Sequence, residues 1–240
     1  MPIQVVTVIS GTEQFAGEGQ TQPFRALVRF PDKTVRSGYV KVMPPESVAA
    51  EAFCALLLRG WGLNIPEPAI CDAPFGFVSI DVGYPNLKQR IGWSESFPQP
   101  LKDVLARHGA MLVASFPDTP RALAADEAID NRDRNLGNIL WDGQHVAWID
   151  HERSLGLVQQ VDANKLATMS IVAGMENEMQ RSAVAVSLTL GPQVVSDAAE
   201  ECSAMASVAG FADAVARRLP SLAQRVLSRF PQPVDLFSQP

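Results

Sequence analysis

The sequence predicts an α+β protein arranged as two lobes, and three observations carry that prediction. β-rich segments fill the first 43 residues, one long helical pattern follows, and the chain beyond residue 85 reads mostly as helix around one embedded polar loop. The lobe boundary falls near residues 82–86, which divides the chain into 1–84 and 85–240. At 240 residues the chain is long enough for one domain or for two small lobes around a cleft.

The first lobe begins with strands at "IQVVTVIS", "FRALVRF" and "GYVKVM", all rich in Val, Ile, Phe and Tyr, and three antiparallel strands fit them. The first connection, "GTEQFAGEGQTQP", carries Gly11, Gly17 and Gly19, and the second is the turn-like "PDK". In "ESVAAEAFCALLLRGWG" the apolar residues Val48, Phe53, Leu56, Leu57 and Trp61 follow helical spacing, so a helix should run to near Gly62. The stretch "NIPEPAICDAPFGFVSIDVGYP" alternates Pro and Gly with short β-like runs, which predicts further strand pairing and then a crossing segment.

The second lobe is helical from Leu101 to Ile129, with an interruption "FPDTP" at 116–120. There Thr119 reads as an N-cap, with Pro120 at the first helical position. The polar stretch "DEAIDNRDRNLGNILWDGQHVAWIDHERSLG" follows as a loop and two short strands around the turn "WDGQH". Residues 160–230 read as helices broken at "LGPQ", near Gly210 and at Pro220, and the Pro-rich tail reads as irregular.

Composition narrows the function. The net charge of −6 and pI near 5.1 supply no basic field, so neither nucleic acid nor an anionic membrane surface is an expected partner. Small molecules or proteins are the expected partners. Cys54, Cys71 and Cys202 are odd in number and lack the paired spacing of a zinc site, so they read as reduced core residues. The opening "MPIQVVTVIS" lacks the charged start and long apolar run of a leader, and no window reaches ~18 apolar residues, so the expected location is cytoplasmic.

The chemistry concentrates in the polar stretch. Asp133 and Asn138 stand in "DRNLGN", and Asp150 closes the apolar strand "HVAWI". Two carboxylates and an amide converging on one spot offer oxygen ligands for a hard cation such as Mg²⁺ and leave one carboxylate to orient a hydroxyl. In the protein-kinase template, a D-x-x-x-x-N loop supplies a base and a metal ligand, and a later Asp holds the metal at the nucleotide phosphates. That template also asks, upstream and in order, for a Gly-containing strand turn, a strand Lys and a helical Glu. All three are present. The turn holding Gly11 and Gly17 has two readings: backbone N–H groups that approach phosphates, or an ordinary hairpin loop. Lys41 in "GYVKVM" shares a strand face with Tyr39 and Met43, which suits either a solvated face or a cleft. Glu51 lies among Ala50, Ala52 and Phe53, and reads as an exposed residue or as the partner of Lys41. Its competitor Glu46 sits at the helix start, where the dipole already accounts for it.

With these residues in hand, the chain resembles the HipA-like kinases, a family related in loop chemistry to phosphatidylinositol kinases. The resemblance rests on "GYVKV", on "EAFCALLLRGWGLNIPEP" and on "DNRDRNLGNILW…HVAWIDHERSLG", and covers roughly residues 5–160. It implies a two-lobed protein-kinase-like fold, with residues 1–84 as the nucleotide lobe and 85–240 as the helical lobe. It implies ATP and Mg²⁺ as cofactors, Lys41 at the nucleotide phosphates, Glu51 orienting it, Asp133 as catalytic base, and Asn138 and Asp150 as metal ligands. The adenine segment should lie near "FVSIDVGYP", with Phe77, Ser79 and Asp81 as neighbours. Arg134 is carried as a charge-stabilising group and His151 as a structural partner of the loop. Asp130 and Arg132 flank the loop as candidate caps. Toxin activity, DNA association and an antitoxin partnership are not carried over. The expected activity is phosphorylation of a Ser or Thr hydroxyl on a protein. A nucleotide-binding pseudokinase, and a kinase acting on a lipid or small-molecule hydroxyl, are the alternatives.

Overall fold

The computed structural model describes residues 2–16 and 22–232, and is a mixed α/β structure. Its strands are β1 (Gln4–Val8), β2 (Gln14–Phe15), β3 (Phe24–Arg29), β4 (Val35–Lys41), β5 (Pro68–Asp72), β6 (Phe75–Ile80), β7 (Ile139–Trp141) and β8 (Val146–Trp148). Its helices are α1 (Pro45–Gly60), α2 (Leu87–Arg90), α3 (Gln99–Ser115), α4 (Thr119–Ile129), α5 (Lys165–Val172), α6 (Glu176–Ser187), α7 (Pro192–Glu201), α8 (Val208–Arg218) and α9 (Leu222–Leu227). Among the described residues no helix is long and apolar enough to cross a membrane.

The first six strands form one sheet in the order β1-β5-β6-β4-β3-β2, and β1 also pairs with β3. The expected antiparallel contact of β1 is therefore only its C-terminal end, Thr7↔Arg29 and Val8↔Val28. Along Gln4–Val6 it runs parallel to β5 instead. The reason lies in the inward-facing residues. Val6, Val28, Val40, Cys71, Val78 and Ile80 are all buried in one cluster, and curling the sheet back through β1 encloses them while leaving fewer open edges. Gly76 permits the tightest strand contact, since a Cβ there would stand 2.5 Å from the Lys41 carbonyl oxygen.

Helix α1 starts with Pro45 in its first turn and Glu46 beside the helix N-terminus, both favourable there. It ends at Gly60, and Gly62 follows with φ +84°, close to the expected stop. It buries residues on every side, including the run Val48 to Ala55, because it packs between the outer face of the sheet and helices α7 and α8. Four alanines in that run let its neighbours approach closely. The resulting apolar core runs from Met43 through Phe53 and Leu123 to Phe230, and includes Ile70 and Phe77 from the sheet. Cys54, Cys71 and Cys202 are free and buried, as expected.

One cap differs from expectation. Thr119 is the first residue of α4 rather than its N-cap, and its hydroxyl donates to the Val113 carbonyl in the last turn of α3. The tight α3–α4 connection places that carbonyl within reach, and the hydroxyl satisfies it.

Helix α4 is buried along most of its length, including the charged pair Asp126 and Glu127. Glu127 is fully enclosed and accepts from Arg132 at 2.6 and 3.1 Å and from Arg229 at 3.0 and 2.9 Å. Asp130 pairs with Arg132 and Arg218 at 2.9 and 3.1 Å, so the two loop-flanking residues act as ion-pair anchors. Asp130 also ends α4 in a left-handed turn. Burial alone would raise the Glu127 carboxyl, but hydrogen bonds from Arg132 and Arg229 outweigh it and hold the group from the ordinary 4.5 down to about 2. A carboxyl depressed on folding adds stability above its unfolded value and loses it as pH falls through the folded one. Stability is therefore expected to fall between pH 4.5 and about 2, and Glu127→Gln should flatten that fall while lowering stability at neutral pH. Urea titrations at stepped pH check this. Identical pH dependence in the two proteins refutes it.

Candidate active site

The polar loop leaves α4 through Asp130, whose φ is 58°. Asn131 braces the turn, its Oδ1 accepting the Asp133 N–H at 3.0 Å while its Nδ2 donates to Asp126 at 2.9 Å. The Asp133 carbonyl then accepts from Nδ2 of Asn135 and of Asn138, at 3.0 and 3.2 Å. Holding the Asn138 amide by its nitrogen leaves its oxygen as the acceptor available to the cleft.

A short 3-10 turn, Leu136–Asn138, leads into the β7–β8 hairpin. Beyond the Ile139↔Trp148 pair the Ile149 N–H bonds the Asn138 carbonyl at 3.1 Å, so the hairpin sets Asn138 beside Ile149 and puts Asp150 next in line. The hairpin is tied outward as well. Asn64 donates to the Val146 carbonyl at 2.7 Å and accepts from Trp148 at 3.0 Å through its own carbonyl, and Trp141 donates to Pro85 at 2.9 Å.

Asp150 has φ 70°, the left-handed region. Such a conformation costs a non-glycine residue on the order of 1–3 kcal/mol and persists only where the surroundings over-determine it. Both flanking peptide groups are held by buried charged side chains: Arg134 Nη1 donates to the Ile149 carbonyl at 2.7 Å, and Glu51 Oε2 accepts the His151 N–H at 2.5 Å.

Arg134 is 1% exposed, and its guanidinium forks onto Asp126 at 3.0 and 2.8 Å, reaches the Asn138 carbonyl at 3.3 Å and lies 5.6 Å from the Trp148 ring centre. This corrects its expected role. A group walled off from the cleft by its own partners does not stabilise charge on a substrate, and Arg134 instead ties α4 to both arms of the hairpin. His151 is buried like Glu51, with Nδ1 3.6 Å from Glu51 Oε1, and is a structural member of the same knot.

Lys41 leaves the end of β4 on the face opposite Val40, as the strand alternation requires. Its ammonium pairs with Asp150 Oδ1 at 2.6 Å and Glu152 Oε2 at 3.2 Å. Burial opposes the ammonium charge, but Glu51, Asp150 and Glu152 outweigh it and raise the group above its ordinary value. Burial pushes the Glu51 carboxyl up, yet Lys41 and His151 outweigh it and hold the group below its ordinary value. Burial, with Asp150 and Glu51 nearby, pushes the Glu152 carboxyl up against the pull of Lys41. Glu51 is thus buried rather than exposed; it accepts the His151 N–H and stays electrostatically coupled to Lys41, whose hydrogen bonds go to Asp150 and Glu152.

These side chains line one continuous cleft. An inner recess of about 190 Å³ is walled by Tyr39, Phe77, Ser79, Tyr84, Leu140 and Ile149. It opens into an outer cavity of about 740 Å³ lined by Lys41, Asp133, Asn138, Asp150, Glu152 and Arg153. Asp81 lines the inner recess too, but its carboxylate accepts from Arg25 Nε and the Gly83 N–H, both at 2.8 Å. Gly11 lies away from the cleft lining, with its N–H on Glu13 at 2.7 Å. Gly17 is outside the described residues, while Ala16 and Pro23, on either side of that gap, line both cavities.

Three residues of the site escaped the sequence. Arg153 and Lys165 hold the two oxygens of Asp133 at 3.2 and 3.1 Å, and Glu152 holds Lys41. Glu152 stands two residues after Asp150, a spacing that could have signalled it. Lys165 stands at the start of α5, where no local pattern points back to Asp133.

No protein-family model matches the chain, and no curated protein matches it. Solved structures do. The proinflammatory kinase CtkA of Helicobacter pylori superposes with TM-score 0.56 at 12% identity, over 95% of this chain and 98% of that one. HipA, from the Shewanella oneidensis MR-1 complex of HipA, HipB and operator DNA, gives TM-score 0.56 at 12% identity, over 92% of this chain and 68% of that one. At that identity the likeness is one of fold.

Proposed function

We propose that the protein is an ATP- and Mg²⁺-dependent kinase transferring the γ-phosphoryl group to a Ser or Thr hydroxyl of a protein. Residues 1–84 act as the nucleotide lobe and 85–240 as the helical lobe that carries the reactive loop. One observation carries the reading: Lys41, 109 residues before Asp150, lies 2.6 Å from it on the wall of the cavity that Asp133 and Asn138 also line. The fold shared with two kinase-related structures agrees with it.

The donor set suits a divalent cation. Glu51, Asp150 and Glu152 offer carboxylate oxygens within 4.8 Å of one another, and Lys41 pairs with two of the three. Asp150 and the Asn138 amide oxygen would hold Mg²⁺, hard oxygen donors for a hard cation. The cation held there would supply charge neutralisation for the nucleotide phosphates. Lys41 meets the phosphates from the sheet side, and the apolar walls of the inner recess take the planar base. Asp133, fixed by Arg153 and Lys165, accepts the acceptor hydroxyl's hydrogen and turns its oxygen toward phosphorus. The same two cations stand where they would offset the negative charge on the transferred group.

Purified protein with labelled ATP, Mg²⁺ and test acceptor proteins decides the matter. Asp133→Ala should lower transfer about 10²–10⁴-fold, the usual worth of a positioned base. Absence of Mg²⁺-dependent transfer in the native protein, or equal transfer by the variant, sinks the proposal.

A further inference from the structure

Kinase chemistry of this kind pairs a strand lysine with a helical glutamate, and here the partners are exchanged. Glu51 Oε2 accepts the His151 N–H at 2.5 Å, and Glu51 Oε1 faces His151 Nδ1 at 3.6 Å. The ion pairs of Lys41 go instead to Asp150 at 2.6 Å and Glu152 at 3.2 Å. We infer that Glu152 is the positioning residue of Lys41, and that Glu51 serves as the main-chain clamp holding Asp150 in its left-handed turn; this rests on the kinase reading.

The geometry gives the exchange a consequence. An ammonium has three donors. Asp150 and Glu152 take two, and the third is left for the cleft. When Asp150 turns to a cation, Glu152 keeps the ammonium anchored, so a phosphate meets a located charge instead of a mobile one. The Lys41 and Glu152 side chains are only 16% and 14% exposed, so solvent screens the pair weakly. Residues 150–152 then carry both the metal carboxylate and the lysine anchor on one short segment, and whatever shifts that segment moves both. Glu152 lines the outer cavity, while Glu51 is 3% exposed at the back of the inner recess and bonded to the main chain, so the two should also separate in stability.

The test compares native protein with Glu152→Gln, Glu152→Asp and Glu51→Gln. Three quantities are read: the nitrogen NMR signal of the Lys41 ammonium without nucleotide, calorimetric binding of a non-hydrolysable ATP analogue with Mg²⁺, and the thermal midpoint. Glu152→Gln should shift the Lys41 signal and weaken the analogue about tenfold, the worth of one charge-assisted hydrogen bond, with the midpoint unmoved. Glu152→Asp should recover part of the affinity. Glu51→Gln should lower the midpoint. An unshifted Lys41 signal and native affinity in Glu152→Gln overturn the inference. So does a Glu51→Gln protein of native stability whose Lys41 signal has moved. A native protein that binds no analogue, yet whose Lys41 signal answers to Glu152→Gln, refutes the kinase reading and keeps the pairing.

Discussion

Asp150→Asn is expected to lower Mg²⁺-dependent transfer by about 10³-fold while the protein stays folded, a loss of the size seen when one group stabilising the transition state is removed. Asn is the informative replacement because it tolerates the left-handed backbone that Asp150 adopts at φ 70°. It therefore removes the charge and leaves the turn. The side chain is 32% exposed and lines the cleft, so little packing is lost. Lys41 loses its shortest ion pair and keeps Glu152. Asp150→Ala should be as inactive and, in addition, less stable by on the order of 1 kcal/mol, because alanine is strained at positive φ. Turnover with a thermal melt on each variant measures both effects. Transfer by Asp150→Asn within tenfold of the native rate at saturating Mg²⁺ would remove Asp150 from the chemistry.

The largest stability effect belongs to Arg134. Arg134→Met leaves Asp126 charged in a site 2% exposed and leaves the Ile149 carbonyl unpaired, so it should cost about 3–5 kcal/mol. For a protein of this size that is a fall of roughly 6–20 °C in thermal midpoint. Replacing both partners, with Asp126→Leu beside Arg134→Met, should recover part of the loss, since a buried pair removed whole costs less than one cut in half. The Ile149 carbonyl stays unpaired, so recovery is incomplete. A single variant melting within about 2 °C of the native protein would show that Arg134 is not a strut.

Much of the architecture was legible in residue order. The β-rich start, the helix over "ESVAAEAFCALLLRGWG", and the hairpin of "NILW" and "HVAWI" all follow from local periodicity and turn chemistry, and all three are present. The closure of β1 onto β5 was not legible, because it depends on six inward side chains from strands far apart in the chain. Arg134 illustrates the same gap at the site. As "DRN" it looks like a cation beside a catalytic aspartate, and only its enclosure by Asp126, Trp148 and two carbonyls shows it working as a brace.

By itself the sequence determined which residue types could do chemistry and where along the chain they cluster: Lys41, Glu51, Asp133, Asn138 and Asp150. Periods of 2 and 3.6 and the dihedral preferences of Gly, Pro and Asp are properties of neighbouring residues, and they are written locally. The tertiary structure decided who faces whom. It gave Lys41 to Asp150 and Glu152, Glu51 to the His151 main chain, and Asp133 to Arg153 and Lys165. Ion pairs act over a few ångströms of space and are indifferent to sequence separation, so their partners are settled only when burial brings distant segments to one cleft.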